Sequence, residues 1–114
     1  MQIFGLKNSQ ATRAAERFFK ERRVAIQMVD LRKKAIAAGE IRRFIERFGW
    51  EGLLDTEGKA YADGGLKYLK LSETELMERI EREPLLMRLP LVRAGNLVSV
   101  GRDEESWKAM LAVS

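Results

Sequence analysis

The residues with the clearest chemical potential follow the first apolar run of the chain, in the sequence Ser9-Gln10-Ala11-Thr12-Arg13. Ser9 stands where a helix should begin, and Thr12 and Arg13 follow within its first turn. The unpaired amides and positive dipole end of a helix N-terminus can hold an anion beside these side chains. The simpler role for Ser9 is structural, with its oxygen accepting from a first-turn amide, and the two roles are compatible.

Composition restricts the chemistry that this group can perform. The 114 residues include no cysteine and no histidine. Disulfides, thiol nucleophiles, imidazole catalysis and nearly all transition-metal sites are therefore excluded, and we expect neither a metal nor a bound cofactor. The Ser9 hydroxyl has no histidine to act as its base, and the pKa of an alcohol is too high for a helix terminus to ionise it.

Charge is distributed unevenly along the chain. Residues 1–50 carry 12 Lys and Arg against 5 Asp and Glu, a net charge of +7, whereas residues 51–114 carry 9 against 12, a net charge of −3. A basic half can attract nucleic acid or an acidic partner. Because acids are interleaved with the bases, we interpret them as solvated helix faces and do not expect nucleic-acid binding, which would show a steep dependence on salt.

The elements that must position Ser9 form a β-α-β unit. Gln2–Phe4 is short, apolar and β-prone, and Gly5 ends it, which predicts a first strand. A helical spacing of apolar residues then predicts a helix to about Arg23. The residues that carry this spacing are Ala11, Ala14, Ala15, Phe18 and Phe19. Residues 24–29 predict a second strand, parallel to the first through a right-handed connection.

The middle of the chain predicts helices and one long loop. The spacing of Ile41, Phe44, Ile45 and Phe48 is typical of a helix, and the glycine-rich segment Gly49–Gly65 predicts a loop, with or without one helical turn. Ser72 and Glu75 form the pattern of a capping box, which predicts a helix to about Arg82. We expect this helical insert, about residues 35–83, to pack on one side of the sheet.

The C-terminal part predicts a β-β-α unit. Residues 89–92 and 97–100 are β-like runs joined by a hairpin, because Gly95 and Asn96 tolerate positive φ. Asp103 then caps a last helix that carries Trp107. The whole chain, residues 1–114, is therefore predicted to be a single α/β domain with a mixed four-stranded sheet and a helical insertion.

Nothing in the sequence predicts a membrane segment. No apolar run approaches the roughly 18 to 20 residues needed to cross a bilayer, and the N-terminus has no signal-peptide pattern. We expect a cytoplasmic monomer.

Four stretches together resemble a known family. They are IFGLKNSQATRAAERFF, RVAIQMVDL, PLLMRLPLVRAGNLVSVG and DEESWKAML, and they span nearly the whole chain in this order. They resemble the bacterial-type arsenate reductase (ArsC) and Spx family, a glutaredoxin-like branch of the thioredoxin fold. The resemblance implies a three-layer thioredoxin-like fold.

The resemblance also implies a ligand site. Ser9 falls where the family usually carries its nucleophilic cysteine, Thr12 where some members have a second cysteine, and Arg13 where many have a basic residue. Pro90 falls at the proline that is cis and lies beside the active site in thioredoxin-like folds. The candidate ligand-binding residues are thus Ser9, Thr12, Arg13 and Pro90, and none of them is assigned a catalytic role.

The sequence departs from the arsenate reducers of the family at the arginines that hold the oxyanion. Leu89 stands before Pro90, where the reducers have an arginine, and Arg88 lies one residue earlier, on the opposite face of an extended strand. Arg102 is offset from another family arginine, and Glu57 falls about where a third is expected. Lys7, Arg88 and Arg102 remain as candidate anion contacts.

Two functions remain open at this stage. The first is a non-catalytic or degenerate family member that acts as a binding or regulatory module. Spx-like members bind RNA polymerase, so the resemblance implies a protein partner in the transcription machinery. The alternative is a glutathione-linked thiol oxidoreductase, similar to arsenate reductase, if Ser9 replaces a natural cysteine. The natural codon at position 9 distinguishes them.

Overall fold

A computed structural model describes residues 1–113. The chain divides into two compact units. We call the unit formed by residues 1–34 and 89–113 the sheet unit, and Ala35–Arg88 the helical unit. The prediction of one domain with an insert at about 35–83 stays a prediction.

The sheet unit contains a mixed four-stranded sheet, as predicted. Its strands are β1 (Gln2–Gly5), β2 (Gln27–Asp30), β3 (Leu91–Ala94) and β4 (Leu97–Val100), in the order β2-β1-β3-β4. β1 pairs with β2 in parallel and with β3 antiparallel, and β3 pairs antiparallel with β4. In the β3–β4 turn only Gly95 takes a positive φ, of 61°.

Two helices, α1 (Gln10–Glu21) and α5 (Glu104–Leu111), contribute to the core of this unit. Trp107 of α5 is fully buried, and its ring centroid lies 5.5 Å from that of Phe18 and 6.2 Å from that of Phe19. Ile3 of β1 and Val92 of β3, which are paired in the sheet, belong to the same core. The predicted apolar stripe of α1 therefore faces the sheet.

The second strand begins later than the sequence predicts. Residues 24–29 have a β-like pattern, whereas β2 starts at Gln27. The Val24 amide donates to the Phe19 carbonyl at 3.0 Å, so Val24 belongs to the end of α1. The prediction is wrong at this boundary because the termination of the helix uses the residues before Gln27.

The helical unit contains more helix than the sequence predicts. Helix α2 (Ala38–Leu53) continues through Gly49, where a φ of 70° and a ψ of 172° kink it, and helix α3 spans Lys59–Asp63. The loop predicted for residues 49–65 is therefore wrong in part. Burial of Leu53 holds the turn after the kink, and an ion pair of 2.9 Å between the two ends of α3, Lys59 and Asp63, stabilises that short helix.

The capping box predicted in this unit is present. Helix α4 (Glu73–Arg82) begins with the Ser72 oxygen accepting from the Glu75 amide at 3.2 Å, while the Ser72 amide donates to the Glu75 carboxylate at 3.1 Å. A 3-10 turn, Pro84–Leu86, follows α4, and another, Leu66–Tyr68, follows α3. None of the described helices is both long and apolar enough to cross a bilayer.

Candidate ligand site at the start of the first helix

Ser9 caps α1, and a tight turn joins this cap to β1. The Ser9 oxygen accepts from the Thr12 amide at 3.2 Å, and the backbone of Ser9 is extended, with φ −81° and ψ 122°. The Ser9 amide donates to the Leu6 carbonyl at 3.0 Å. The chain therefore passes from the last residue of β1 into the helix in only four residues, and the capping role predicted for Ser9 is confirmed.

Thr12 has a structural role that the sequence did not indicate. It is 1% exposed, and its hydroxyl oxygen accepts from the buried amide of Leu6 at 3.4 Å. It also packs on Gly5, where an added Cβ would lie 2.6 Å from the Thr12 Cγ2 atom. Thr12 thus connects α1 to the turn after β1 through its contacts with Gly5 and Leu6. Its contact with a ligand stays a prediction.

Pro90 lies at the same end of the sheet as the Ser9 turn. The peptide bond from Leu89 to Pro90 is cis. Leu91 pairs with Phe4 in antiparallel register, which places Pro90 beside Gly5, the residue before the turn. The structure therefore brings the cap of α1 and the cis proline to one end of the sheet, as the family resemblance implied.

The candidate anion contacts lie in different places. Arg102 is exposed at the same end of the sheet, because the amide of the preceding Gly101 donates to the Pro90 carbonyl at 3.0 Å. Lys7 and Arg13 are exposed around the start of α1. Arg88 belongs to the helical unit, where its Nε donates to the Leu54 carbonyl at 2.9 Å. Their contacts with an anion stay predictions.

The helix terminus retains donors for a ligand. The Ser9 oxygen satisfies the Thr12 amide, but within residues 1–113 no partner occurs for the first-turn amides of Gln10 and Ala11. Two free amides beside Lys7 and Arg13 favour a negatively charged group. No side chain here provides a thiol or an imidazole base, so this arrangement suits binding rather than covalent catalysis.

The described residues also hold no cluster of three or more acidic side chains suited to a metal ion. Sequence analysis missed a basic groove beside α1, to which the segment after β2 contributes Lys33 and Lys34. That segment comes close to β1 because the Leu31 amide donates to the Gly5 carbonyl at 2.9 Å. The only signal in the sequence is the run of charge after Asp30, in Arg32, Lys33 and Lys34.

Comparison with known proteins identifies the family. The model of the ArsC family matches residues 4–110. The chain belongs to the ArsC family. A search of curated proteins gave no match for this ArsC-family chain.

Solved structures have the same fold as this ArsC-family chain. The protein YffB (PA3664) is 22% identical with a TM-score of 0.84, and the match covers 96% of this chain and 97% of that one. Arsenate reductase from Vibrio cholerae is 18% identical with a TM-score of 0.78, covering 100% and 98%. An arsenate reductase (ArsC) related protein from Brucella melitensis is 19% identical with a TM-score of 0.64, covering 95% and 91%. The predicted thioredoxin-like α/β fold is therefore confirmed.

Proposed function

We propose that this chain is an ArsC-family binding or regulatory module that does not perform the family's thiol chemistry. The observation that carries this function is the complete absence of cysteine from a chain whose family match covers residues 4–110. Ser9 stands at the N-terminus of α1, where the family resemblance implies the nucleophile. The fold and the start of the helix are retained, whereas the thiol is missing.

A serine at this position retains one half of the site and loses the other. A cysteine at a helix N-terminus is a nucleophile because the amides and the dipole lower its pKa and stabilise the thiolate. The same amides bind an anion whichever residue stands at position 9. With Ser9, the Gln10 and Ala11 amides and the charge of Arg13 can still hold a phosphate, a carboxylate or the glutathione carboxylates.

Loss of the family's anion clamp supports the same function. Leu89, which is 8% exposed, precedes the cis Pro90 where arsenate reducers have an arginine. Arg88 donates its Nε–H group to the Leu54 carbonyl within the helical unit. Arsenate reduction would need both a nucleophile and a clamp, and this chain has Ser9 and Leu89 where the family resemblance implies them.

The alternative is a glutathione-linked thiol oxidoreductase in which Ser9 replaces a natural cysteine. Membership of the ArsC family favours it, and glutathione would then be the reductant. For the first function, a protein partner in the cytoplasmic transcription machinery follows from analogy with Spx, with the chain acting as a monomer.

The Ser9→Cys substitution distinguishes the two functions. We expect neither the wild type nor Ser9→Cys to reduce arsenate in a glutathione-coupled assay, since Leu89 would still replace the arginine. The control is the rate of Ser9→Cys reaction with a thiol reagent, which verifies that the new thiol is accessible. Sustained arsenate reduction by Ser9→Cys would contradict the binding function and support the oxidoreductase.

A further inference from the structure

The edge of the sheet at β2 has hydrogen-bonding groups that face away from the other strands. β2 pairs with β1 alone among the strands of residues 1–113. The amides of Gln27 and Leu31 donate to the carbonyls of Met1 and Gly5 at 2.8 and 2.9 Å, so these alternate residues face β1. At the intervening positions, the amide and carbonyl of Met28 and the amide of Asp30 point away from β1. Such an edge is a template for an added strand.

A groove of about 640 Å³ lies along this edge between β2 and the first half of α1. Its four basic side chains, all exposed, are Lys7, Arg13, Lys33 and Lys34. Its two acidic side chains, Glu16 and Asp30, leave the lining with an excess of two positive charges. Glu16 lies 3.7 Å from the ammonium of Lys20, and the Asp30 carboxylate accepts from the Arg32 amide at 3.0 Å. The groove therefore presents positive charge beside a free strand edge.

These four cations have no counterion in the part of the chain that the structure describes. The ion pairs of the sheet unit join Lys20 to Glu16 and Lys108 to Glu105, both outside this set of four. Met28 and Val29, both half-buried, also line the groove. An occupant needs backbone groups for the edge, carboxylates for the cations and small apolar side chains beside Met28 and Val29.

We propose that this groove binds an extended, acidic segment of a partner protein, which adds a fifth strand to the edge of β2. Backbone hydrogen bonds with Met28 and Asp30 provide affinity, and carboxylates beside Lys33 and Lys34 select acidic sequences. A nucleic acid would satisfy the cations but has no peptide groups for the strand edge. This surface goes beyond the ligand site at the start of α1 and does not require it.

The first test is fluorescence anisotropy with a labelled short peptide of alternating Glu and Val. We expect saturable binding that weakens as salt is added. A version of the peptide with methylated alternate backbone nitrogens should bind much more weakly, because it retains the charges but cannot form the ladder. In amide NMR spectra, the signals of Met28 and Asp30 should shift.

Charge reversal then tests the selection of acidic segments. Lys33→Glu/Lys34→Glu should reduce the affinity about tenfold, since two attractive pairs become repulsive. The matched control is Lys67→Glu/Lys70→Glu, which makes the same change of net charge at exposed residues outside the groove and should leave the affinity nearly unchanged. Circular dichroism verifies that both variants are folded.

Four outcomes would overturn this assignment. They are the absence of binding at millimolar peptide, equal binding of the methylated peptide, equal loss in both double variants, and tighter binding of a single-stranded oligonucleotide of the same charge. If no peptide binds, the role of Lys33 and Lys34 is to prevent other strands from pairing with this edge. The groove shares Lys7 and Arg13 with the candidate ligand site, but the charge-reversal variants change only Lys33 and Lys34 and the methylated peptide tests only the strand edge, so the two proposals can fail separately.

Discussion

At the scale of single residues, Ser9 combines a structural contact with a position suited to binding. Its oxygen accepts from the Thr12 amide, which leaves the amides of Gln10 and Ala11 for a ligand. The capping role followed from the sequence, because serine before an amphipathic run is a frequent helix start. The binding role depends on which backbone amides have no hydrogen-bond partner, and this is known only from the folded structure.

Thr12 and Gly5 form a pair whose contact can be measured. Gly5→Ala should lower the free energy of unfolding by about 1–3 kcal/mol, because the new Cβ would overlap the Thr12 side chain. Thr12→Ala should also be destabilising, since it leaves the buried Leu6 amide without its acceptor. Urea denaturation measures the loss of unfolding free energy in each variant. The loss in the double variant should be smaller, by at least about 0.5 kcal/mol, than the sum of the losses in the two single variants. Strictly additive losses would show that this contact is unimportant.

The contact between Thr12 and Gly5 was not predictable from the sequence. Thr12 follows the helix cap, and the family resemblance made it a candidate ligand-binding residue. Its burial depends on the closeness of the β1 turn, which a local pattern does not contain. A glycine at the end of a strand was the available signal, and it was interpreted only as a strand terminator.

At the scale of elements, the end of α1 contains a residue in an unfavourable conformation. Arg23 has a φ of 58°, and the amides of Arg23 and Val24 donate to the carbonyls of Lys20 and Phe19, both at 3.0 Å. This is a Schellman motif in which glycine would ordinarily take the left-handed position. The motif ends the helix at this point and moves the start of β2 to Gln27.

Arg23→Gly should therefore stabilise the protein. Relief of the left-handed strain, less the entropy cost of glycine, should raise the free energy of unfolding by about 0.5–1 kcal/mol. The measurement is urea denaturation, and the matched control is Arg23→Ala, which removes the charge but retains the Cβ atom and should give little change. Equal stabilisation by both substitutions would mean that charge, rather than backbone conformation, is responsible.

The capping box of α4 should make stability depend on pH in the acid range. Hydrogen bonds from the Ser72 backbone and side chain hold the pKa of the Glu75 carboxyl below its ordinary value. Because the folded state lowers this pKa, the stabilisation is complete at neutral pH and is lost as the pH falls through the lowered pKa. Glu75→Gln keeps a capping side chain but cannot titrate, so its stability should fall less steeply on acidification.

Urea denaturation at a series of pH values down from neutral measures this slope. Glu78→Gln is the matched control, because Glu78 is exposed on the same helix and is not part of the capping box. A Glu75→Gln curve parallel to that of the wild type would count against a contribution of the box to acid stability.

At the scale of the whole molecule, the order of elements was predictable, and the extent of several was not. The order of the strands along the chain and the capped helices follow from alternation, helical spacing and the residues Ser72 and Asp103. Helix α3 was predicted only as an optional helical turn, because glycines on both sides of it indicate a loop. The exposed i,i+4 pair between Lys59 and Asp63 makes a small local contribution to this helix, which composition does not reveal.

The charge asymmetry of the chain produces a local cluster of positive charge only in the folded molecule. The excess of Lys and Arg in residues 1–50 is spread along the sequence, which suggested solvated helix faces. Folding collects Lys7, Arg13, Lys33 and Lys34 around one groove in the sheet unit. Long-range register between β1 and β2 brings these residues together, and no local pattern predicts this arrangement.

The most direct test of the central claim is an amide NMR titration of the wild type with glutathione and, separately, with phosphate. If the start of α1 binds a ligand without a thiol, saturable shifts should be confined to the amides of residues 9–13 and of Leu91, next to the cis proline. The absence of shifts at these amides with millimolar ligand would contradict binding of these small anionic ligands at the helix terminus.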